Sequence, residues 1–412
     1  MNTTTPKLRF NSYNQNWGKK QLAELGSFNK TYSFSRSVEG EGEYHHIHYG
    51  DIHSTYTGII NDQTNVPSIK EVGPFECIED GEVIFADASE DYNDLGKAVA
   101  VWGGKSKKMI SGLHTHRFKP NQELDTRFLL YFTQSSRYRK FVREKGTGIS
   151  VLGISKSNLS KLEIPLPSID EQKEISNFLF LLDQKINKQL EYVLELESYK
   201  KSMAHKIFTK EVRIKDKNGE EFPMWEEKRL GEVATFFKGA VLSKSDLSED
   251  GHPCILYGEL YTKYNEIITK VWSRTNINND KLVKGYKNDV LVPSSGETAI
   301  DIACASAIDV DEVYLGGDIN IIRPNNDVNG SFLSYELNYL NKKDLARVAQ
   351  GATVVHLYID NLKSITVLLP QKEEQQKIVD FLSKLNLKIE KEKEKLEIIK
   401  EQKRGFIQHM FK

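Results

Sequence analysis

A long segment of this chain, Leu166–Phe208, occurs a second time at Leu369–Phe411 without a gap. Both copies carry the pattern LPxxxEQxxI, and apolar residues then recur at matching positions in both copies. An internal repeat of this length indicates that a whole structural unit has been duplicated. The chain of 412 residues is therefore expected to contain two similar halves, each ending in the repeated segment.

The repeated segments predict two long helices, at residues 168–209 and 371–412. Ser168 and Glu171 form an S-x-x-E capping box, which marks a helix start. Apolar residues follow at alternating spacings of three and four, as in a coiled-coil seam, and such a helix would be about 58 Å long. The seam positions at which we expect helix packing are Leu179, Leu182, Ile186, Gln189, Leu382, Leu385, Ile389 and Glu392.

Two of these seam positions, Gln189 and Glu392, are polar and lie near the middle of their helices. An antiparallel pairing of the helices would bring them together, and buried polar seam residues are known to fix helix register. Two alternatives stay open, namely that the helices splay at this point or that the side chains reach solvent.

The remaining parts of the chain, residues 1–167 and 210–370, predict two mixed α/β domains. Short β-like runs broken by Gly, Asn and Asp dominate both, including EYHHIHYGDI, and Arg127–Lys145 has a helical spacing of apolar residues. A looser repeat relates the two domains: YGDI matches YGEL, HTHRFKP matches DINIIRP, and KGTGISVLGI matches QGATVVHLYI. Because the domains diverge while the helices agree, we expect unlike ligands on equivalent supports.

Composition excludes several classes of protein. With 39% hydrophobic and 28% charged residues the chain is typical of a globular protein, and no leader or membrane span is evident, so the cytoplasm is expected. The three cysteines lie far apart, which argues against a disulfide framework or a zinc site. The net charge of −1 hides a basic stretch, because Lys97–Lys145 contains 12 basic and three acidic residues.

Taken together, the duplicated LPxxxEQxxI pattern, the two long helices and the two openings around Trp17 and Trp225 resemble the specificity subunit of type I restriction-modification systems. The resemblance covers essentially the whole chain. It implies an α+β fold of two pseudo-symmetric target recognition domains, at 1–167 and 210–370, separated by two long antiparallel coiled-coil spacer helices, at 168–209 and 371–412.

The resemblance also implies what such a chain does. Each recognition domain would read half of a split double-stranded DNA target, and the helices would dock two modification subunits, which in turn carry the restriction subunits. The methyltransferase and ATP-driven nuclease chemistry would then belong to the partners, with S-adenosylmethionine, ATP and Mg²⁺ bound there and no cofactor in this chain.

The residues agree with a non-catalytic role. The sequence contains no N/D-P-P-Y/F methyltransferase tetrad. Gly104, Lys105 and Ser106 imitate the end of a phosphate loop, but the glycine required five positions before Gly104 is Val99. A basic surface loop is the simpler interpretation. An enzyme in its own right would need a catalytic set that we do not find.

Candidate DNA contacts follow from charge and from the repeat. Basic side chains supply phosphate contacts, whereas His, Arg or Lys at base edges supply sequence reading. A solvated surface charge is an equally good interpretation of each lysine alone. The candidates are Arg36, Lys105, Lys107, Lys108, His114, His116, Arg117 and Lys119 in the first domain, and Lys244, Lys263, Lys281, Lys284, Lys287 and Arg323 in the second.

Other features admit two interpretations. His46 and His48 would share one face of a strand, but no Cys or acidic ligand set accompanies the histidines, so base contact or plain surface is favoured over metal. Tyr49 and Tyr257 are repeat-equivalent and would either stack at the recognition surface or, as is commoner, lie in the core. As a whole, the chain could instead be a coiled-coil adaptor whose globular domains do not bind DNA.

Overall fold

The computed structural model describes residues 6–104, 106–240, 242–277, 280–351 and 353–411. Its contacts divide the chain into two compact units. Unit 1 comprises Met1–Leu190 and Glu394–Lys412, and unit 2 comprises Glu191–Lys393. Each unit therefore contains one globular domain together with part of both long helices.

The described residues of unit 1 form twelve short strands and four α-helices, followed by the first long helix. The strands are β1 Gly18–Gln21, β2 Gly26–Asn29, β3 Glu39–Ile47, β4 Ile59–Ile60, β5 Ser68–Ile69, β6 Val83–Ala86, β7 Ala88–Ser89, β8 Ala98–Val101, β9 Lys108–Ser111, β10 Thr115–Pro120, β11 Leu152–Gly153 and β12 Glu163–Leu166. The helices are α1 Tyr49–Ser54, α2 Thr126–Phe132, α3 Ser136–Lys145, α4 Lys156–Leu159 and the long α5 Ile169–Phe208.

Unit 2 follows this order with additional elements, including β18 and α8. Its strands are β13 Glu226–Arg229, β14 Ala234–Lys238, β15 His252–Ile255, β16 Ile267–Ile268, β17 Ser273–Thr275, β18 Val283–Tyr286, β19 Val290–Pro293, β20 Ser295–Gly296, β21 Ser306–Ile308, β22 Glu312–Leu315, β23 Ile319–Pro324, β24 Val355–His356 and β25 Thr366–Leu369. Its helices are α6 Leu230–Val233, α7 Glu259–Thr262, α8 Ala299–Ile302, α9 Gly330–Tyr339, α10 Lys342–Val348, α11 Ile359–Lys363 and the long α12 Lys372–Met410.

The central sheets of the two units have the same topology. In unit 1 the strand order is β2-β10-β6-β8-β4, and in unit 2 it is β14-β23-β19-β21-β16. The last pair of each sheet is parallel and the others are antiparallel. The predicted fold class, a duplicated mixed α/β domain joined to long helices, is thereby confirmed.

Two local predictions differ from the structure. The run EYHHIHYGDI is not one strand, because β3 ends at Ile47 and α1 starts at Tyr49, capped by the His48 side chain. The predicted helix at Arg127–Lys145 is interrupted after Phe132. Ser135 accepts a hydrogen bond from the Tyr138 backbone N–H (3.3 Å), so it caps a new helix, α3, where one continuous helix was expected.

The repeat alignment near the end of each domain also needs correction. KGTGISVLGI and QGATVVHLYI were matched from their first residues, but the structure shifts the match by two positions. Isolated bridges join Thr147 to Gly153 and Gln350 to His356, and the glycines that follow the first residue of each bridge, Gly148 and Gly351, have φ of +128° and +134°. These conformations favour glycine and mark the same turn in both units.

The long helices run antiparallel within each unit. In unit 1, Phe178 on α5 packs edge-on against Phe406 on α12. Further along α5, Asp183 pairs with Lys403, which precedes Phe406 on α12, so the two helices run in opposite directions. In unit 2, the side chains of Glu197 and Lys393 pair at 2.9 Å. The helices begin and end within two residues of the predicted segments. Among the described residues, no helix is long and apolar enough to cross a membrane.

Three of the eight predicted seam residues are buried and the other five are half-buried. Leu179 and Leu382 are fully buried in the cores of unit 1 and unit 2, and Ile389 is nearly so. The other predicted seam positions, Leu182, Ile186, Gln189, Leu385 and Glu392, are half-buried. The pairing of Gln189 with Glu392 stays a prediction.

The glutamine of the repeated pattern fastens each long helix to its domain. In unit 1, the Gln172 side-chain carbonyl accepts a hydrogen bond from the Asp125 backbone N–H at 2.8 Å. Its amide group donates to the carbonyls of Glu123 and Pro167 at 2.9 and 3.0 Å. Gln172 is fully buried, so water could not replace its side chain as the hydrogen-bond partner of these backbone groups.

Gln375 makes the same three hydrogen bonds in unit 2. It accepts from the Asn329 backbone N–H at 2.8 Å and donates to the carbonyls of Asp327 and Pro370 at 3.1 and 2.8 Å. In both units the glutamine thus ties the first turn of a long helix to the segment that leads into α2 or α9. The signature has a structural role in the chain.

The glutamate next to this glutamine is also buried and paired in each unit. Glu171 receives two hydrogen bonds from the Arg9 guanidinium, at 2.7 and 2.8 Å, and one from the Trp17 indole N–H at 3.1 Å. Glu374 receives two from Arg213, at 3.1 and 3.2 Å. Each glutamate therefore holds the segment that opens its domain against the start of the helix.

Two repeat-equivalent seam lysines complete the attachment of α2 and α9. In unit 1, Lys403 donates to Asp183 on α5 at 2.6 Å, and the Tyr131 hydroxyl on α2 donates to the same carboxylate at 2.8 Å. In unit 2, Lys200 donates to Glu266 at 2.7 Å, as does the Tyr339 hydroxyl on α9.

The unit 2 carboxylate comes from the globular domain, because the helix position equivalent to Asp183 is Asn386. Burial would raise the pKa of Glu266, but the Lys200 ammonium and the Tyr339 hydroxyl outweigh burial and lower it. Both lysines thus bind the domain to the helix pair.

Replacing these lysines should have unequal effects. Lys200→Met leaves the Glu266 side chain, 11% exposed, without its cation, and should lower the free energy of unfolding of unit 2 by about 3 kcal/mol. Lys403→Met leaves Asp183, 34% exposed and still solvated, and should cost about 1 kcal/mol. Denaturant unfolding followed by hydrogen exchange in each unit measures both. Equal losses in the two variants would contradict this assignment.

A second buried carboxyl group distinguishes unit 2. Glu336 on α9 is completely buried, at the position where unit 1 has Phe132. One of its oxygens accepts from the Leu368 backbone N–H at 2.5 Å, and the other has no hydrogen-bond partner among the described residues. Burial raises the pKa of Glu336 from an ordinary 4.5 to about 8, so the group is protonated at neutral pH.

Glu336 should therefore make unit 2 less stable as the pH rises from 4.5 to 8. In that range the unfolded chain loses this proton while the folded chain keeps it, which favours unfolding by about 3 kcal/mol at pH 7. Glu336→Gln keeps the acceptor for Leu368 and removes the titration. Unfolding between pH 4 and 9 should show the wild-type stability falling relative to this variant and levelling above pH 8; parallel curves would contradict the assignment.

Candidate nucleic-acid interface

Several loops of unit 1 meet where the central strands end. β6 ends at Ala86 beside Thr115, the first residue of β10, so Asp87 and His114 are neighbours. β3 and β9 end side by side at Ile47 and Ser111. We call the surface formed there the unit 1 loop surface; it consists of Arg36, His48–Ser54, Asp87–Ser89, His114 and residues 148–151.

Aromatic rings form the centre of the unit 1 loop surface. The Tyr49 ring lies 4.6 Å from His48, 5.6 Å from His53 and 5.2 Å from His114, measured between ring centroids. His53 donates to the Ala88 carbonyl at 2.9 Å. Tyr49 is half-buried, so it serves the core and the surface together.

Charged groups surround these rings. Arg36 donates to Asp51 at 2.7 Å, and His114 lies 3.2 Å from the Asp87 carboxylate. Burial lowers the pKa of His48, and the nearby Arg36 charge lowers it further. His48 is thus neutral at pH 7, and its ring accepts a hydrogen bond from the Gly50 N–H.

The same loops of unit 2 form a surface of different chemistry. The unit 2 loop surface consists of Lys244, Tyr257–Thr262, Ser294–Gly296, Asp318 and residues 353–358. Tyr257 and Tyr261 lie 6.4 Å apart and the rings of His356 and Tyr358 are stacked at 6.0 Å. Tyrosines and the Asp318 carboxylate replace the imidazoles of unit 1.

A short hairpin borders each loop surface. In unit 1 the hairpin tip carries Ile149, fully exposed, and Val151, which is largely exposed; β11 then pairs with β7. In unit 2 Val354 is exposed ahead of β24, which pairs with β20. Sequence reasoning did not select these tips. The sequence signal that identifies them is the glycine repeated at Gly148 and Gly351, once the two segments are aligned with the shift of two positions.

The structure separates the predicted basic residues of unit 1. Arg36 and His114 belong to the loop surface, whereas Lys108 and Lys119 lie at the opposite ends of β9 and β10 and pair with Glu43 and Glu79. Lys107 donates to the Thr64 carbonyl at 2.6 Å. Lys105 lies outside the described residues.

Arg117 and His116 have structural roles. Arg117 is 1% exposed; it donates to Glu82 at 2.6 Å and to the Cys77 carbonyl at 2.7 Å. His116 is buried and donates to the Ile154 carbonyl at 2.8 Å. Burial lowers the pKa of His116, so its ring is neutral at pH 7. A buried side chain with all its contacts inside the domain does not reach a DNA duplex, and neither residue is retained as a candidate.

The unit 2 counterpart of His116 supports this reassignment. Asn320 is also buried and donates to the Leu357 carbonyl at 2.7 Å. His116 and Asn320 therefore hold the same hairpin against the sheet in each unit. Two different side chains make the equivalent contact in the two units, as expected for residues with a structural role.

The predicted residues of unit 2 are likewise dispersed. Lys244 is exposed in the short 3-10 helix equivalent to that of Arg36, and Lys263 follows α7 and pairs with Glu259. Lys281 is exposed and precedes β18. Away from the loop surface, Lys284, Lys287 and Arg323 pair with Glu312, Asp309 and Asp289 at 2.7–2.8 Å.

The described residues contain no group of three or more His, Cys, Asp or Glu side chains placed to hold a metal ion. The functional chemistry of the loop surfaces is therefore that of hydrogen-bonding imidazole, phenol and carboxylate groups, with Arg36 and Lys244 as cations. Such groups match the donors and acceptors at base edges.

Comparison with known proteins gives a consistent match. The family model for the type I restriction modification DNA specificity domain matches residues 14–196 and again 224–401. Two relatives come from Methanocaldococcus jannaschii. A putative type I restriction enzyme MjaX specificity subunit is 28% identical over 79% of this chain and 76% of its own length. The type I restriction enzyme MjaVIII specificity subunit is 27% identical over 76% of this chain and 75% of its own.

Solved structures share the fold. The S subunit of a type I restriction-modification system from M. genitalium superimposes with a TM-score of 0.57, at 18% identity, over 99% of both chains. A chain from a study of complex assembly and conformational transition in a type I R-M system gives a TM-score of 0.60 at 17% identity, covering 96% of this chain and 97% of that one.

Proposed function

The chain belongs to the type I restriction modification DNA specificity family, and we propose that it reads a split double-stranded DNA target through its two loop surfaces. The unit 1 loop surface would contact one half of the target and the unit 2 loop surface the other. Base edges would be read by His114 and His53 in unit 1, and by Tyr257, Tyr261 and Tyr358 in unit 2.

One observation carries this proposal: equivalent loops on equivalent sheets carry different chemistry. The buried contacts of Gln172 and Gln375 are repeated bond for bond, while His114 is replaced by Asp318 and His53 by Tyr261. Identical supports with unlike surfaces suit a protein that reads two unlike half-sites.

Phosphate contacts would come from the exposed cations beside these surfaces, above all Arg36 and Lys244. Arg36 is paired with Asp51 in the structure. The Arg36 side chain is 54% exposed whereas Asp51 is buried, so the guanidinium would face a phosphate with its remaining donors while it stays paired with Asp51. Lys263 and Lys281 extend the set in unit 2.

The long helices would dock two modification subunits, which would in turn carry the restriction subunits. Support comes from apolar side chains that the helices expose to solvent. These are Leu181, Leu190, Leu194 and Tyr199 on α5, and Leu387 and Ile398 on α12. Exposed apolar residues along a helix mark interaction surfaces.

In this proposal the chain itself is not a catalyst. S-adenosylmethionine, ATP and Mg²⁺ would be bound by the partner subunits, and the complex would act on DNA in the cytoplasm. The role of this chain would be to choose the sequence and hold the partners on it. A coiled-coil adaptor without DNA binding is the rival, and it is excluded if duplex binding is measured.

Co-expression with its modification subunit tests the proposal directly. Methylated adenines mapped across a host genome should define one split sequence, and the purified complex should bind a duplex carrying it with an affinity that falls as salt rises. Methylation without a split motif, or no complex at all, would overturn the proposal.

Single substitutions should affect the two half-sites separately. His114→Ala should weaken binding about tenfold and relax base preference in one half of the target only. Tyr257→Ala should do the same in the other half. Lys119→Ala, at the far end of β10, is the matched control and should leave affinity unchanged. If Lys119→Ala weakened binding as much as His114→Ala, the loop-surface assignment would be wrong.

A further inference from the structure

Unit 1 contains a large groove that shares only the end of α1 with the unit 1 loop surface. Its volume is about 1290 Å³, and it runs from the end of α1 along α2 to α5 and α12. Its lining includes six basic side chains and only two carboxylates, Asp183 and Glu397. The basic residues are Lys97, Arg127, Arg139, Lys400, Lys403 and Arg404.

The floor of the groove is aromatic and apolar. Trp102 is 45% exposed although it is a large aromatic residue, and Phe180 is half-buried. The Arg127 guanidinium lies between them, 5.8 Å from the Trp102 ring and 5.5 Å from the Phe180 ring. This combination of Trp, Phe and Arg is typical of protein–protein interfaces.

Arg127 also has an unsatisfied donor. One of its terminal nitrogens donates to the Asn177 side chain at 2.9 Å. Its Nε is buried and has no hydrogen-bond partner among the described residues. A buried guanidinium donor without an acceptor is costly, and a carboxylate arriving in the groove would relieve that cost.

The groove breaks the repeat. Trp102 follows β8 and donates its backbone N–H to the Ile60 carbonyl; in unit 2 the equivalent bond to Ile268 is made by Asp309. At the positions equivalent to Arg127, Phe180 and Lys400, unit 2 has Ser331, Ser383 and Glu197. Unit 2 therefore has carboxylates and hydroxyls where unit 1 has cations and aromatic rings.

This asymmetry limits what the groove can bind. Two identical modification subunits on equivalent surfaces, as in the proposed function, would contact features that both units share. A surface whose Trp102, Arg127 and Phe180 are not repeated in unit 2 is suited to a ligand bound once per chain. We propose that the groove binds a single acidic, amphipathic peptide segment of a partner subunit, an inference that rests on the proposed assembly.

Charge and shape favour a peptide over nucleic acid. Four of the six cations form ion pairs, namely Lys97 with Asp94, Lys400 with Glu397, Lys403 with Asp183 and Arg404 with Glu401. Arg127 and Arg139 have no carboxylate partner among the described residues, so the groove keeps a positive charge. Its lining, however, also includes apolar side chains such as Ile186 and Ile407. An amphipathic segment satisfies both, with carboxylates at the cationic rim and apolar side chains against Trp102 and Phe180.

Photo-crosslinking in the assembled complex tests this inference. p-Benzoylphenylalanine replaces Trp102 in one sample and Asp309, its unit 2 equivalent, in the other. Each chain is combined with its modification and restriction subunits and a duplex carrying its target. Position 102 should crosslink to one net-acidic partner segment, once per complex, and position 309 should not.

The other outcomes overturn the inference. Crosslinks from position 102 to DNA would assign the groove to nucleic acid, equal crosslinks from both positions would make the site symmetric, and no crosslink would leave the groove without a partner in the complex. Methylation is measured on the same samples. If the complex forms and methylates while the crosslink fails, only this inference falls; if no complex forms, the proposed function falls with it.

Substitutions toward the unit 2 residues provide an independent readout. Trp102→Asp with Arg127→Ser should weaken capture of the crosslinked partner, measured by titration, at least tenfold and leave duplex affinity unchanged. Trp102→Phe should retain capture. Ser331→Ala in unit 2 is the control for an equivalent position that should have no effect. Unchanged capture by the double variant would overturn the inference.

Discussion

The hydrogen bonds of two buried glutamines attach each globular domain to its long helix, and the position of each domain on its helix depends on them. Gln172 and Gln375 sit in the first turns of α5 and α12, and each satisfies three backbone groups of its domain. Removing either side chain would leave buried donors and acceptors unpaired, which costs more than the bonds themselves contribute. Because the glutamates beside them fix the opening segment of each domain, one short pattern sets the position of a whole domain on its helix.

This dependence explains where the two halves agree and where they differ. The contacts of the Glu-Gln pairs, the strand order and the lysines Lys200 and Lys403 are repeated, since each helps to hold a domain on its helix. Different residues can still supply the same contact in the two units. Lys200 and Lys403 are equivalent, yet the carboxylate that binds them has moved from the helix, at Asp183, to the domain, at Glu266. The loop surfaces carry no such constraint, and their residues have diverged.

The basic stretch shows why charge along the sequence was a poor guide to the interface. Residues 97–145 run from β8 to α3, so folding distributes their charges over different parts of unit 1. Arg117 enters the core to neutralise Glu82, and Arg139 donates to the backbone carbonyls of Thr133, Asn93 and Leu95. His114 and Lys119 are close in the sequence, but His114 lies just before the first residue of β10 and Lys119 lies near its other end.

The sequence by itself determined the duplication, the fold class and both long helices, because helix periodicity and repeats are properties of neighbouring residues. It also pointed to Arg36, His114 and Tyr49, although without a reason to group them. Only the tertiary structure decided that these residues share one surface, that the Glu-Gln pair of the repeated pattern attaches each domain to its helix, and that Trp102, Arg127 and Phe180 line one groove in unit 1. Those features are assembled from segments far apart in the chain, and their proximity depends on strand order and on which end of a strand a residue occupies.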